Sequence, residues 1–143
     1  MPQPPPATTQ GTLRILRTIH GALIVSIFLY GLMPRLIAAL RNPQPPDKTL
    51  LAMFDALALG VIGLGFFLRS KWITAAYATL RAKPDDAASL AQWRKGAVVS
   101  AALGESVVLY GVVIYLIGGE AKQAAPFFAA GLIVMLLWWP KRP

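Results

Sequence analysis

The segment from Gly96 to Gly119, GAVVSAALGESVVLYGVVIYLIGG, limits the possible folds of this chain more than any other. It is apolar, it holds no proline, and its only charged residue is Glu105. A bilayer hydrocarbon core about 30 Å thick is crossed by about 20 helical residues. The segment therefore reads as a transmembrane helix. Glu105 lies ten positions beyond Lys95, roughly 15 Å deep at about 1.5 Å per residue. A carboxylate at that depth is expensive, so it marks either a functional group or a buried polar pair.

Three further segments follow the same logic, and together they predict an all-α fold, a four-helix transmembrane bundle. Leu13 to Met33 forms the first span, with Arg14 and Arg17 at its entry and Pro34-Arg35 closing it. It reads as a retained span rather than a cleaved signal peptide. Arg35 directly follows the apolar run, and Ala38-Ala39-Leu40 lacks the small residue that an A-x-A site requires. Thr49 to Leu68 forms the second span and carries Asp55 about two turns in. The third runs over about 96–118 and stops at Gly118-Gly119. The fourth, about 124–139, is short and can be opened by Pro126.

Between these spans the punctuation is clear. Residues 1–11 are Pro-rich and uncharged and predict a disordered tail before a single membrane domain, 12–143. Pro43, Pro45 and Pro46 break the connection before the second span. Ile73 to Leu80 contains no breaker, Pro84 ends the pattern, and Asp85 or Asp86 suits the N-cap of the next helix. The middle of the chain is thus a long helical hairpin whose tip projects beyond the membrane. Trp72, Trp93, Trp138 and Trp139 fall at the ends of spans, where aromatic rings anchor helices at the interface.

Composition narrows the function. At 56% hydrophobic residues and a mean hydropathy of +0.56, the chain belongs to the membrane class. The net charge of +8 sits at the ends of spans, which argues for membrane flanks and against nucleic-acid binding. There is no cysteine and one histidine, so thiolate chemistry, bis-histidine haem and three-histidine zinc sites are excluded for the chain alone. No phosphate-binding loop, catalytic Ser–His–acid set or metal-ligand spacing is present, so the chain reads as a non-enzyme without a cofactor. Its partners are then the bilayer and other membrane subunits or further copies of itself.

Lys and Arg also orient the chain. Arg14, Arg17, Arg69, Lys71, Arg81, Lys83, Arg94, Lys95, Lys141 and Arg142 fall on one side, against Arg35, Arg41, Lys48 and Lys122 on the other. The positive-inside rule puts both termini and the hairpin tip in the cytoplasm.

Three ionisable residues lie within spans: Glu105, His20 and Asp55. Rise counting sets His20 within a few ångström of the depth of Glu105, and Asp55 higher, near Tyr30 or Tyr110. One reading makes Glu105 a proton- or ion-carrying carboxylate, with His20 as its neighbour. The other makes it a packing clasp, hydrogen-bonded to His20, Ser26 or Ser106. Two small-residue stripes accompany it: Ala56, Gly60 and Gly63 on the second span, and Ala97, Ala101, Gly104 and Gly111 on the third. Such stripes let helices approach closely in lipid, and these two are expected to meet each other.

The hairpin from about Leu57 to Ile117 resembles the proteolipid c subunit of rotary ATP synthases. The likeness rests on LALGVIGLG in the second span, LRAKPDD at the turn and GESVVLYGVVIYLI in the third. It places Glu105 at the position of the ion-carrying acid and Arg81 to Pro84 on the cytoplasmic loop, and implies proton or ion handling. The whole chain also resembles short four-span bacterial membrane proteins of unassigned function, through its acid-bearing third span, its Pro126-Phe127-Phe128 start and its basic end. That likeness implies a multi-pass protein of the bacterial inner membrane.

Overall fold

The computed structural model describes residues 8–37 and 46–143. Within them the chain is all-helical: α1 (Thr9–Ile37), α2 (Lys48–Arg69), a π-helical turn (Ser70–Thr74), α3 (Ala75–Ala82), α4 (Ala87–Leu116) and α5 (Ala121–Leu137). α2, the π turn and α3 run on as one rod, so the architecture is four helices, as the apolar periodicity predicts. Three of them are long and apolar enough to cross a membrane: Thr9–Met33, Lys48–Ala82 and Ala87–Leu116. The fourth, α5, has 17 residues, about 25 Å at the helical rise.

Several boundaries differ from the sequence reading, each for a local reason. α1 begins at Thr9, inside the expected tail, because Thr8 caps it. The Gly11 N–H donates to Thr8 Oγ1 at 3.1 Å, and the Thr12 N–H to Thr8 O at 2.9 Å. Residues 1–7 of that tail, and the Arg41, Pro43 and Pro45 portion of the connection, lie outside the described residues. α1 also continues through Pro34 to Ile37. α5 starts at Ala121 rather than 124, so Pro126 lies inside it. Glu120 supplies that start: its backbone N–H donates to Gln123 Oε1 at 2.7 Å.

The hairpin turns where Pro84 requires it. Of the two candidate caps, Asp86 takes the role, accepting the Ser89 N–H at 2.9 Å. The Ser89 hydroxyl first, then that N–H, hold the Asp86 carboxyl below the usual carboxylate range. Asp85 instead accepts the Thr9 N–H at 3.0 Å, and the Thr9 hydroxyl donates to Pro84 O. This ties the start of α1 to the hairpin tip.

α4 ends as its two glycines dictate. Gly118 adopts φ 108°, Gly119 N–H donates to Ile114 O at 2.9 Å and Gly118 N–H to Tyr115 O at 3.3 Å. This is the 6→1 and 5→2 pairing of a Schellman stop. A Cβ at Gly119 would come 2.6 Å from Ile114 O, so only glycine fits.

α4 is the hub. Of its apolar window 44% is buried, against 17% for α1 and 11% for α2. It contributes to three core clusters. At the tip end Leu90, Trp93 and Ala97 pack with Leu16, Ile73, Ala76 and Leu80. In the middle Ala101 and Val108 pack with Ile27 and Met135. Towards the other end Val107 and Ile114 pack with Ala58 and Phe127. The π turn sits where Trp72 and Ile73 cross α4 at Gly96, whose Cβ, if present, would meet Ile73 Cγ1 at 2.9 Å.

Candidate functional site

The three intramembrane ionisable residues do not form one site. Glu105 is half-buried against α1, where Tyr30 Oη donates to its Oε1 at 3.3 Å. The hydroxyls offered as alternatives turn to their own helices: Ser26 donates to Ala22 O at 3.1 Å and Ser106 to Leu103 O at 2.7 Å.

His20 lies elsewhere. Its buried ring donates from Nε2 to Met135 O at 2.7 Å and stands edge-on to Trp139, centroids 5.3 Å apart. A carbonyl can only accept, so Nε2 carries a hydrogen. The Met135 carbonyl is free for it because α5 is ending: the Trp138 N–H goes to Val134 O and the Trp139 N–H to Leu136 O. His20 is thus a side-chain cap on the last turn of α5.

The expected His20–Glu105 pairing is therefore corrected. Thr9 meets Asp85 and Tyr30 meets Glu105, so α1 and α4 run parallel with an offset of 75 to 76 positions. His20 is ten residues short of Tyr30, about 15 Å away along the axis. In this register the basic flanks of the two helices lie near one level, and His20 is three residues past Arg17 while Glu105 is ten past Lys95, a difference of about 10 Å that the depth estimate passed over.

Asp55 is exposed on α2, at the edge of a shallow apolar cleft of about 230 Å³ with Leu59, Val107, Pro126 and Phe127. Its neighbour Phe54 packs on Tyr110, centroids 5.8 Å apart. The level near Tyr110 matches the count: Asp55 borders Val107 and Phe127, members of the core cluster that Tyr110 packs against.

The small-residue stripes part company too. Gly104 and Gly111 face α5: a Cβ at Gly104 would meet Met135 Sδ at 2.9 Å, and one at Gly111 would meet Ala124 O and Phe127 Cβ at 3.0 Å. Ala97 and Ala101 are buried in the hub. Gly131 on α5 reciprocates, lying on Val108 and 3.1 Å from Gly104 O as measured from its would-be Cβ. Gly104 and Gly111 of the α4 stripe thus meet α5 rather than α2, while Ala97 packs with α1, the π turn and α3. Ala56, Gly60 and Gly63 are all exposed, and nothing lies within 4 Å of a Cβ built at either glycine. α2 meets α4 with a different face, through Leu51, Phe54, Ala58, Val61 and Ile62. Gly131 is the contact that the sequence reading missed; a glycine mid-way along the fourth span was its only signal.

No family of proteins, curated protein or solved structure matches the chain. The site must be argued from its own residues.

Of the four tryptophans, two are core residues. Trp93 is 1% exposed and packs edge-on to Tyr77. Trp138 is 2% exposed, seated on Gly65 and edge-on to Phe66, and its indole N–H faces no acceptor among the described residues. Neither ring is presented to lipid headgroups. Trp72 and Trp139 are half-buried, the former beneath Lys95 Nζ at 4.8 Å from its centroid.

The start of α1 and the tail after α5 converge. Arg17 Nε donates to Pro140 O at 3.4 Å, and Tyr77 Oη to Lys141 O at 2.8 Å. With Thr9 on Asp85, this gathers the start of α1, the hairpin tip and the C-terminal tail at one end of the molecule.

Proposed function

We propose that this chain is a small, non-enzymatic integral membrane protein that serves as an accessory or assembly subunit of a larger complex. The observation that carries this reading is the outward face of α2. A stripe of Ala56, Gly60 and Gly63 is the surface that another transmembrane helix needs for close approach, and among the described residues nothing lies within 4 Å of a Cβ built at Gly60 or Gly63. Asp55 stands about 100° round the same helix, exposed among apolar neighbours. A carboxylate there calls for a donor from a partner helix. The occupant is a transmembrane helix of another subunit carrying a small-residue face and a basic or hydroxyl group opposite Asp55. The host is a bacterial inner membrane, with the end that collects both termini and the hairpin tip in the cytoplasm; the ten basic residues assigned to that side support the orientation.

The chain has no cysteine, so Gly60→Cys provides a unique crosslinking handle. Crosslinking in native membranes should give one adduct of defined mass with a different protein, and Gly60→Leu with Gly63→Leu should abolish that assembly without lowering the melting temperature of the purified chain. An adduct of exactly twice the chain mass would replace the hetero-subunit with a homodimer. No adduct, with native particle size unaltered in the leucine variant, refutes the reading.

A second reading, proton or ion handling by Glu105, is favoured by one observation: among the described residues its polar partner is a neutral hydroxyl, that of Tyr30. The comparison of Glu105→Gln with wild type separates the two. Abolished proton uptake in liposomes with intact assembly supports the carrier; unchanged uptake with lost partners supports the subunit.

A further inference from the structure

The end that gathers the start of α1 and the C-terminal tail holds a cleft of about 670 Å³ that neither reading uses. Arg14, Arg17 and Arg142 line it, with Gln10, Thr18 and Trp139. Gln10, Arg14, Arg17 and Thr18 share a face of α1, because positions three, four and seven or eight apart lie on one side of a helix. Arg142 and Trp139 come from the tail beyond α5 and close the other wall.

The electrostatics of this cleft are one-sided. No carboxylate lines it, and the one ion pair among the described residues, Lys122 with Glu120 at 2.8 Å, lies beside the start of α5 at the opposite end. The nearby Asp85 already accepts the Thr9 N–H. The bond from Arg17 Nε to Pro140 O fixes that side chain by its inner nitrogen and leaves the outer edge of the guanidinium towards the cleft. A planar fork of this kind matches phosphate oxygens. Three guanidinium groups facing one space repel each other until an anion enters.

The same face of α1 then changes character. Beyond Arg14 and Thr18 it continues as Gly21, Val25, Phe28 and Leu32. Val25 is 57%, Phe28 61% and Leu32 48% exposed, and Gly21 is open. The face passes from cationic to apolar in the order in which a phospholipid passes from headgroup to chain. A free phosphate shares the headgroup chemistry but makes no use of the apolar track.

We propose that the Arg14–Arg17–Arg142 cleft binds the phosphodiester of an anionic phospholipid, with one acyl chain lying along Val25, Phe28 and Leu32. Basic pockets at the ends of transmembrane helices suit anionic headgroups.

The test uses the full chain in uncharged detergent micelles at 0.15 M salt. The probes are spin-labelled phosphatidylglycerol and spin-labelled phosphatidylcholine, read by quenching of tryptophan fluorescence. A basic residue near an anionic headgroup contributes about fivefold in affinity. Wild type should prefer phosphatidylglycerol by about 100-fold, and Arg14→Gln with Arg142→Gln should weaken its binding about 25-fold while phosphatidylcholine is unaffected. Lys48→Gln with Lys122→Gln makes the same charge change at the opposite end of the bundle and should alter binding less than about twofold, since charge is screened over about 8 Å. If the double cleft variant does not fold, Arg142→Gln alone, in the tail after α5, should still show about a fivefold loss. Equal losses in the cleft variant and the opposite-end variant would overturn the proposal in favour of a general charge effect. Displacement of the lipid by millimolar inorganic phosphate would overturn it in favour of a soluble phosphate site.

Discussion

Replacing Gly131 by alanine should destabilise the protein, and the same replacement at Gly60 should not. A methyl group at Gly131 overlaps Val108 Cγ2 and stands 3.1 Å from Gly104 O and 3.3 Å from Val108 N. Ordinary carbon contacts are about 3.5–4.0 Å. Val108 is fully buried, and a helical valine has essentially one χ1 well, so its side chain has nowhere to turn. The other two atoms are backbone. Relief therefore requires α5 to move away from α4 by roughly 1 Å, which loosens the contacts of Met135 and Phe127 as well. Overpacking of this kind costs about 1–3 kcal/mol, and alanine returns up to about 1 kcal/mol over glycine in helix propensity. The net loss at Gly131 is then up to about 2 kcal/mol. At Gly60 nothing lies within 4 Å, so only the propensity term acts, a gain of up to about 1 kcal/mol. The propensity gain is common to both sites, so two chemically identical changes should differ by the overpacking cost alone, about 1–3 kcal/mol, roughly 3–12 °C in melting temperature for a chain of this size. Thermal melts of the two variants in detergent, followed by circular dichroism, measure this directly. A Gly131→Ala protein that melts at or above wild type, or a Gly60→Ala protein that falls as far, would refute the assignment of the α4–α5 seam.

Further expectations rest on single contacts. His20→Ala should cost about 1–3 kcal/mol, because the buried Met135 carbonyl loses its donor; a melt indistinguishable from wild type would remove His20 as the cap of α5. Gly118→Ala should cost about 1–2 kcal/mol, since φ 108° is strained for any residue with a Cβ, and double-variant melts with Gly131→Ala should be additive. Asp86, whose carboxyl is held below its ordinary 3.8 by Ser89, contributes stability that is complete above that value and is lost as pH falls through the lower folded-state value. Asp86→Asn should therefore narrow the gap between melting temperatures at pH 6 and pH 3, and an unchanged gap would show that the cap does not titrate.

Much of this architecture was legible in one dimension. Four apolar runs, Gly118-Gly119 as a stop, Pro84 as the break in the hairpin and an aspartate as the next N-cap are local matters, governed by residues within one or two turns, and each reappears in three dimensions. The span from Gly96 to Gly119 sits at the centre for the reason its composition suggests: it is apolar all round, so every neighbour can pack on it.

Tertiary structure decided what no local rule could. Which small-residue stripe meets which depends on helix rotation, and a stripe of Ala56, Gly60 and Gly63 looks the same whether it faces α4 or lipid. Which polar groups pair depends on axial offset, and an offset of 75 to 76 positions between α1 and α4, set where Thr9 meets Asp85, separates His20 from Glu105 and delivers Tyr30 instead. Whether a tryptophan is an anchor or a core residue depends on its neighbours, and Trp138 is buried because Gly65 leaves room for it. The arginine cleft joins residues from the two ends of the chain, a juxtaposition that only the folded molecule creates.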